Sequence, residues 1–181
     1  GSTDSSYEIL ERYQQADNRI RLFKQQNKFA GAARNLGKAN ANGEFLVFWD
    51  CDDYFDLTAL EKMYNRCVET EADVCVCGGK RYYDDQKKVY PWPDYMNKKK
   101  IPDTDVFNRL TNEDYILNFT NEAAWNKMFR RSYIEKLGLD FQCIRNGNDV
   151  YFTINALCLA DKITCVADPL VIYRKNQSGS L

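Results

Sequence analysis

Gly43-Glu44-Phe45-Leu46-Val47-Phe48-Trp49-Asp50-Cys51-Asp52-Asp53 is the stretch that decides the fold. Five apolar residues, Phe45 to Trp49, run without interruption into the carboxylates Asp50, Asp52 and Asp53. A short apolar run bounded by turn residues predicts a strand buried on both faces. In an open α/β sheet, ligands sit just beyond the carboxyl ends of such strands. Carboxylates gathered there are natural ligands for hard cations such as Mg²⁺ or Mn²⁺. The competing reading is an acidic turn that caps the next helix. The buried strand in front favours the metal site.

Upstream, Asp4 or Ser5 caps a predicted helix with Ile9, Leu10 and Tyr13 on one face, ended by Asp17-Asn18. Ile20–Phe23 reads as a short strand. Ala30 to Ala41 reads as a small-residue helix. Gly31 and Gly37 cost that helix roughly 1 kcal/mol each against alanine, so a close approach to the sheet or to a ligand is expected there. Gly43 suits the left-handed position that closes it. Downstream, Asp56 caps a helix to about Thr70, with Leu57, Leu60, Met63, Tyr64 and Cys67 as its stripe. Ala72–Cys77 is a second buried strand, ending at Gly78-Gly79. This alternation predicts an α/β fold with a mostly parallel sheet flanked by helices.

From Lys80 the pattern breaks. Lys80–Tyr83 and Lys87–Tyr90 read as a hairpin around Asp84-Asp85-Gln86. Pro91-Trp92-Pro93 and Lys98-Lys99-Lys100 follow as loop, rich enough in aromatics and lysines to bind an acceptor or simply to pack on itself. Thr111 to Phe119 is expected to hold a short helix. Ala123–Phe129 reads as a strand leading to Arg130-Arg131, and Ser132 caps a helix that stops at Gly138. Asp149 opens a helix through Leu159. Ile163–Ala167 and Leu170–Tyr173 read as two strands broken by Asp168-Pro169. The sequons at Asn118 and Asn176 are read as chance matches.

The 181 residues suffice for one domain with a proper core. At 44% hydrophobic and 28% charged, the composition is that of a globular protein. A net charge of −1 gives no electrostatic support to nucleic-acid binding. No apolar run is long enough for a membrane-spanning helix. The seven cysteines are odd in number and several lie in apolar runs, which fits buried thiols in a reducing compartment. The chain has no histidine, so zinc chemistry and Ser-His-Asp or Cys-His catalysis are excluded as readings. Any general base must be Asp, Glu, Lys, Tyr or Cys.

Taken in order, the residues resemble the family 2 glycosyltransferases, which have the GT-A, Rossmann-like fold. Gly1-Ser2-Thr3-Asp4-Ser5-Ser6 is similar to the end of the family's Asp-Asp-Gly-Ser-Thr-Asp turn. Asn27 through Gly31-Ala-Ala-Arg34-Asn35-x-Gly37 resembles its Asn-x-Gly-x-x-x-Ala-Arg-Asn-x-Gly segment, loosely spaced at the start. Gly43 to Asp53 resembles its Gly-Glu-strand-Asp-x-Asp-Asp signature. Trp125-Asn126-Lys127-Met128-Phe129-Arg130 is similar to its acceptor-side strand. Asn148-Asp149 stands where the family usually has Glu-Asp, and Tyr173-Arg174 with Ser178 resembles its closing segment.

The resemblance implies an inverting transfer of a sugar from a nucleotide-diphosphate sugar to a saccharide or lipid-linked acceptor in cell-surface polysaccharide synthesis. It implies a Mn²⁺ or Mg²⁺ ion at Asp52 that offsets charge on the leaving diphosphate. It places Asp50 near the nucleoside and Arg34 within reach of the nucleotide. Asp149 is implied as the base that takes the acceptor's proton. Asp53, Trp125 and Lys127 join the substrate-binding set, although Asp53 competes with a helix-side capping role. Asn148 in place of Glu leaves the charge around Asp149 different from the family pattern, and Asn176 stands near where many relatives have His. Residues 1–79 form the expected nucleotide-sugar part and 80–181 the acceptor part of one catalytic domain. Location at the cytoplasmic face, with peripheral membrane association, follows from the same resemblance. The rival readings are a non-catalytic binding or assembly domain that keeps the fold, and a nucleotidyltransferase.

The family begins with a strand, a helix and a second strand before the turn that Gly1 opens. The expectation is therefore that a first βαβ unit is missing, that the chain alone is inactive, and that the Phe45–Trp49 edge is bared. Ile20–Phe23 is expected to pair with that edge, or a second copy to fill it as a homodimer.

Overall fold

The computed structural model describes residues 1–175. Five α-helices are described, α1 (Ser6–Ala16), α2 (Phe29–Ala39), α3 (Ala59–Thr70), α4 (Arg131–Leu137) and α5 (Val150–Cys158), with short 3-10 turns at Pro93–Tyr95 and Lys98–Lys100. The strands are β1 (Phe45–Val47), β2 (Tyr54–Phe55), β3 (Val74–Tyr83), β4 (Lys88–Trp92), β5 (Lys127–Arg130) and β6 (Ile163–Lys175). They form one sheet in the order β1-β5-β3-β6-β2, with β4 paired to β3.

The α/β reading holds, but the expected mostly parallel sheet is corrected to a mixed one. β3 and β6 are the parallel pair among the described strands, and the remaining pairs are antiparallel. The reason lies in β5. It enters between β1 and β3 from the irregular segment before it, with no helical crossover, so it runs against both neighbours (Leu46 beside Phe129, Val74 beside Phe129).

The sheet is packed on both faces. One cluster gathers Phe48, Val76, Phe129, Ile134, Phe152 and Leu157 under α4 and α5. The other gathers Ala59, Met63 and Cys67 of α3 with Cys75, Cys77 and Val171. β1 and the two residues after it serve both: Leu46 and Phe48 are buried in the first cluster, while Phe45, Val47 and Trp49 pack half-buried against the second.

Several expectations are corrected. Ile20–Phe23 forms no strand and pairs with nothing in the sheet; Arg21 instead ties the segment to α2, donating to the Asn40 carbonyl at 2.6 Å. Gly43 does not take the left-handed conformation, because α2 has already ended at Asn40. The buried stripe of α3 is Ala59, Met63 and Cys67, while Leu57, Leu60 and Tyr64 stay exposed. β3 does not stop at Gly78-Gly79 but runs on as the first arm of the hairpin with β4, which takes in Pro91 and Trp92. β6 likewise runs through Asp168-Pro169. The Thr111–Phe119 segment makes isolated turns, with no helix. Ser132 lies inside α4, which starts at Arg131 and ends at the left-handed Gly138 as expected. The closing-segment positions Asn176 and Ser178 lie outside the described residues. Among the described residues no helix is long and apolar enough to cross a membrane.

Candidate active site

The site forms where β1 leaves the sheet. Phe48 anchors the exit, packed against Phe141 at 4.7 Å and Phe152 at 5.5 Å between ring centroids. Trp49 stacks on Phe55 at 3.9 Å. Between these two aromatic anchors the chain must turn, and Asp53 N–H closes the turn on the Asp50 carbonyl. The acidic residues are thus held at the end of the sheet between β1 and β2.

The carboxylates occupy different environments. Asp52 is exposed at the tip of the turn. Asp50 is half-buried and receives Arg34 Nη2 at 2.6 Å. Asp53 turns inward and is 9% exposed. Its Oδ1 accepts the Arg174 backbone N–H at 2.9 Å, while its Oδ2 is buried with no hydrogen-bond partner among the described residues. Burial, and after it the neighbouring Asp52 and Asp50 charges, raise the Asp53 carboxyl to about 7, against the opposing pull of the Arg174 N–H. The helix-side role weighed for Asp53 is not seen, nor does Asp56 cap α3: its Oδ1 accepts the Thr58 N–H at 2.8 Å in the turn ahead of the helix, whose N-cap Thr58 makes no side-chain capping bond.

Arg34 lies on α2 and joins two distant parts of the chain. Nη2 holds Asp50, and Nη1 donates to Asn148 Oδ1 at 2.6 Å. Two glycines make this reach possible. Gly147 takes a left-handed conformation in the loop before α5. Gly31 lets that loop lie on α2, since a Cβ there would overlap the Gln142 carbonyl. The close approach expected at Gly31 is therefore real; Gly37 has no neighbour within 4 Å of where its Cβ would stand.

Asp149 follows Asn148 and precedes the first turn of α5, yet its side chain makes no capping hydrogen bond. Burial raises its carboxyl above the usual range; Arg34 opposes the shift, and Glu122 and Asp50 add to it. Arg34 therefore places the acidic turn and Asp149 around one guanidinium. A cleft of about 500 Å³ opens beside them between α2 and β1, lined by Ala33, Arg34, Val47, Trp49 and Asp50.

Trp125 and Lys127 sit differently. Trp125 is nearly buried, stacked on Tyr173 with centroids 5.8 Å apart and edge-on to Tyr95 at 4.6 Å. Lys127 is fully buried, and its ammonium donates to Asn121 O, Ala123 O and Asn126 Oδ1 at 2.7–2.8 Å. With all three donors engaged it braces the 121–126 segment and has none left for a ligand. Burial pulls its ammonium down to about 7. Sequence reading passed over Asn126, whose amide donates to the Cys77 and Tyr95 carbonyls, and over Glu122 beside Asp149. Asn126 could have been found: a polar pair, Asn-Lys, inside an apolar strand demands buried partners.

Among the described residues no group of three or more Cys, Asp or Glu side chains is arranged to hold a metal by itself. Mg²⁺ bound with phosphates needs only one or two carboxylates. The exposed Asp52 lies next to the buried Asp53 Oδ2, which has no hydrogen-bond partner among the described residues, so these two are the carboxylates that could hold such an ion.

The chain is 31% identical to the putative glycosyltransferase EpsH of Bacillus subtilis over 99% of its length. Among solved structures it is similar to S. aureus TarS in complex with UDP-GlcNAc (TM-score 0.75, 20% identity, 98% of this chain). It is also similar to the mannosyltransferase PcManGT of Pyrobaculum calidifontis in complex with GDP-Man and Mn²⁺ (TM-score 0.66, 15% identity, 99% of this chain). These likenesses show the GT-A fold. The chain spans about half of each longer protein: 51% of EpsH, 48% of the TarS chain and 47% of PcManGT. The model of the family described as glycosyl transferase family 2 matches residues 1–138, most of the chain, and the protein belongs to that family.

Proposed function

We propose that this protein transfers a sugar, with inversion, from a nucleotide-diphosphate sugar to a hydroxyl of a saccharide or lipid-linked acceptor in cell-surface polysaccharide synthesis. The observation that carries the reading is Arg34, bonded at once to Asp50 of the acidic turn and to Asn148 beside Asp149. This brings a donor-side group and a candidate base around one cation. The two structural neighbours are complexes with UDP-GlcNAc and with GDP-Man and Mn²⁺, which supports a nucleotide-sugar donor and a divalent cation.

The residues divide the work. Arg34 and Asp50 line the cleft in which the nucleotide would lie. Asp52, with Asp53 behind it, would hold Mn²⁺ or Mg²⁺. That ion, when bound, offsets negative charge on the departing diphosphate. Asp149 accepts the proton of the attacking hydroxyl, and its raised affinity for protons suits that task. Trp125, stacked on Tyr173, shapes the acceptor wall, and Lys127 holds the loop that carries it.

Incubating the full-length protein with a panel of nucleotide sugars and Mn²⁺ tests the reading. Release of UDP or GDP is expected. Pyrophosphate release identifies a nucleotidyltransferase instead, and binding without any release identifies a non-catalytic domain.

A further inference from the structure

Beyond the glycines at its midpoint, β3 carries Arg81 into a group of aromatic rings. The parallel register sets Arg81 beside Tyr173 of β6, and the antiparallel register sets it beside Tyr90 of β4. Its guanidinium carbon lies over Trp92, 3.4 Å from the ring centroid, and 5.4 Å from that of Tyr95. Nε donates to Tyr95 Oη at 2.8 Å. The cation is thus fixed on one face and one edge.

Among the described residues no carboxylate pairs with it. Arg34, Arg66, Arg130, Arg131 and Arg174, which are also partly buried, each hold a carboxylate. Arg81 is half-buried too, but its polar partners are the neutral hydroxyls of Tyr95 and Tyr83, and no carboxylate among the described residues lies within ion-pair distance. A desolvated cation without a counter-ion is costly. A planar, pre-oriented guanidinium is also the side chain best shaped for a carboxylate or phosphate.

The acidic turn runs into β2, β2 pairs with β6, and β6 pairs with β3. Asp53 of the turn is bonded to Arg174 of β6, and Arg81 lies beside the preceding residue, Tyr173, on the β3 side of that strand. Tyr173 stands between them, edge-on to Tyr95 and stacked on Trp125.

We propose that Arg81, backed by Trp92 and Tyr95, is an anion subsite for the acceptor, which carries a carboxylate or phosphate. This rests on the transfer reaction proposed above. The ring faces supply stacking for the saccharide, and Arg81 selects acidic acceptors over neutral ones of the same shape.

The test needs no turnover, so its failure is distinct from failure of the transfer reading, which appears as no nucleotide release from any donor. The full-length protein is titrated with glycerol 3-phosphate, glucuronate, and their neutral counterparts glycerol and glucose, followed by ligand-observed NMR. The wild type is expected to bind at least one anion more tightly than its neutral counterpart, and the tighter of the two anions identifies phosphate or carboxylate as the acceptor's group. Arg81→Gln should weaken that binding by about tenfold or more, with Arg81→Lys intermediate and UDP or GDP binding unchanged. Equal binding of anions by wild type and Arg81→Gln overturns the proposal. So does parity between anions and neutral compounds in the wild type, or a loss of nucleotide binding in a variant whose melting temperature is unchanged.

Discussion

Arg34 donates to Asp50 Oδ1 at 2.6 Å, and this ion pair fastens the acidic turn to helix α2. The same guanidinium holds Asn148 from its other amino group. A lysine can supply the charge but cannot span both oxygens. Arg34→Lys is therefore expected to weaken nucleotide binding by about tenfold or more. Arg34→Ala should also lower stability by about 1–3 kcal/mol, because Asn148 is buried and loses its partner. Calorimetric titration with UDP and GDP and a thermal melt of each variant check both. Unchanged binding in Arg34→Lys removes Arg34 from the nucleotide site.

Asp52 lies exposed past the end of β1, in the turn fixed by Phe48 and Trp49. Asp52→Asn keeps the shape and removes one negative charge. Activity is expected to fall together with its dependence on Mn²⁺, while the melting temperature stays within a degree or two, since an exposed side chain carries little of the packing. Titrating Mn²⁺ into both proteins decides the point: an unchanged cation affinity assigns the metal to other residues.

Asp149 makes no capping hydrogen bond to α5, so its charge is available for chemistry. Asp149→Asn should lower turnover by about 10²–10⁴-fold. Nucleotide binding should persist, and stability should not show the ~1 kcal/mol loss of a removed cap. Because burial raises the Asp149 carboxyl, wild-type turnover is expected to fall as pH drops through that raised value, from protonation of the base. A stability loss of cap size with intact turnover would assign Asp149 to structure.

Much of this site was legible because it is local. The apolar run from Phe45 and the abrupt carboxylates announce a strand end, and Asp149 before an apolar run announces a helix start. What sequence could not show is non-local. Arg34 and Asn148 are 114 residues apart, and nothing in either segment names the other. The long strands were hidden by their own punctuation. Gly78-Gly79 and Asp168-Pro169 read as breaks, yet they lie opposite one another, and β3 and β6 shift register together there and continue. Ile20–Phe23 has the residues of a strand, but Arg21 ties it to the end of α2, away from the sheet. Lys127 reads as a ligand from its neighbours in sequence; only burial shows that its donors are already engaged.

Asp53 gives a stability signature that can be read without any substrate. Its carboxyl titrates at about 7 in the folded protein and near the ordinary aspartate value, ~3.9, when unfolded. Between those values the folded state binds the extra proton, so stability falls as pH rises from about 4 to about 7 and levels off above. Asp53→Asn cannot ionise. Its Oδ1 can still accept the Arg174 N–H, although the amide that replaces Oδ2 also lacks a partner. The absolute stability of the variant is therefore a poor guide, and the slope is the better one. Melting curves from pH 5 to pH 8 in EDTA should show a decline toward high pH in the wild type that is steeper than in Asp53→Asn, with a difference on the order of 1–3 kcal/mol across the range. Parallel slopes would mean that Asp53 is ionised throughout, with a counter-charge reaching its buried oxygen.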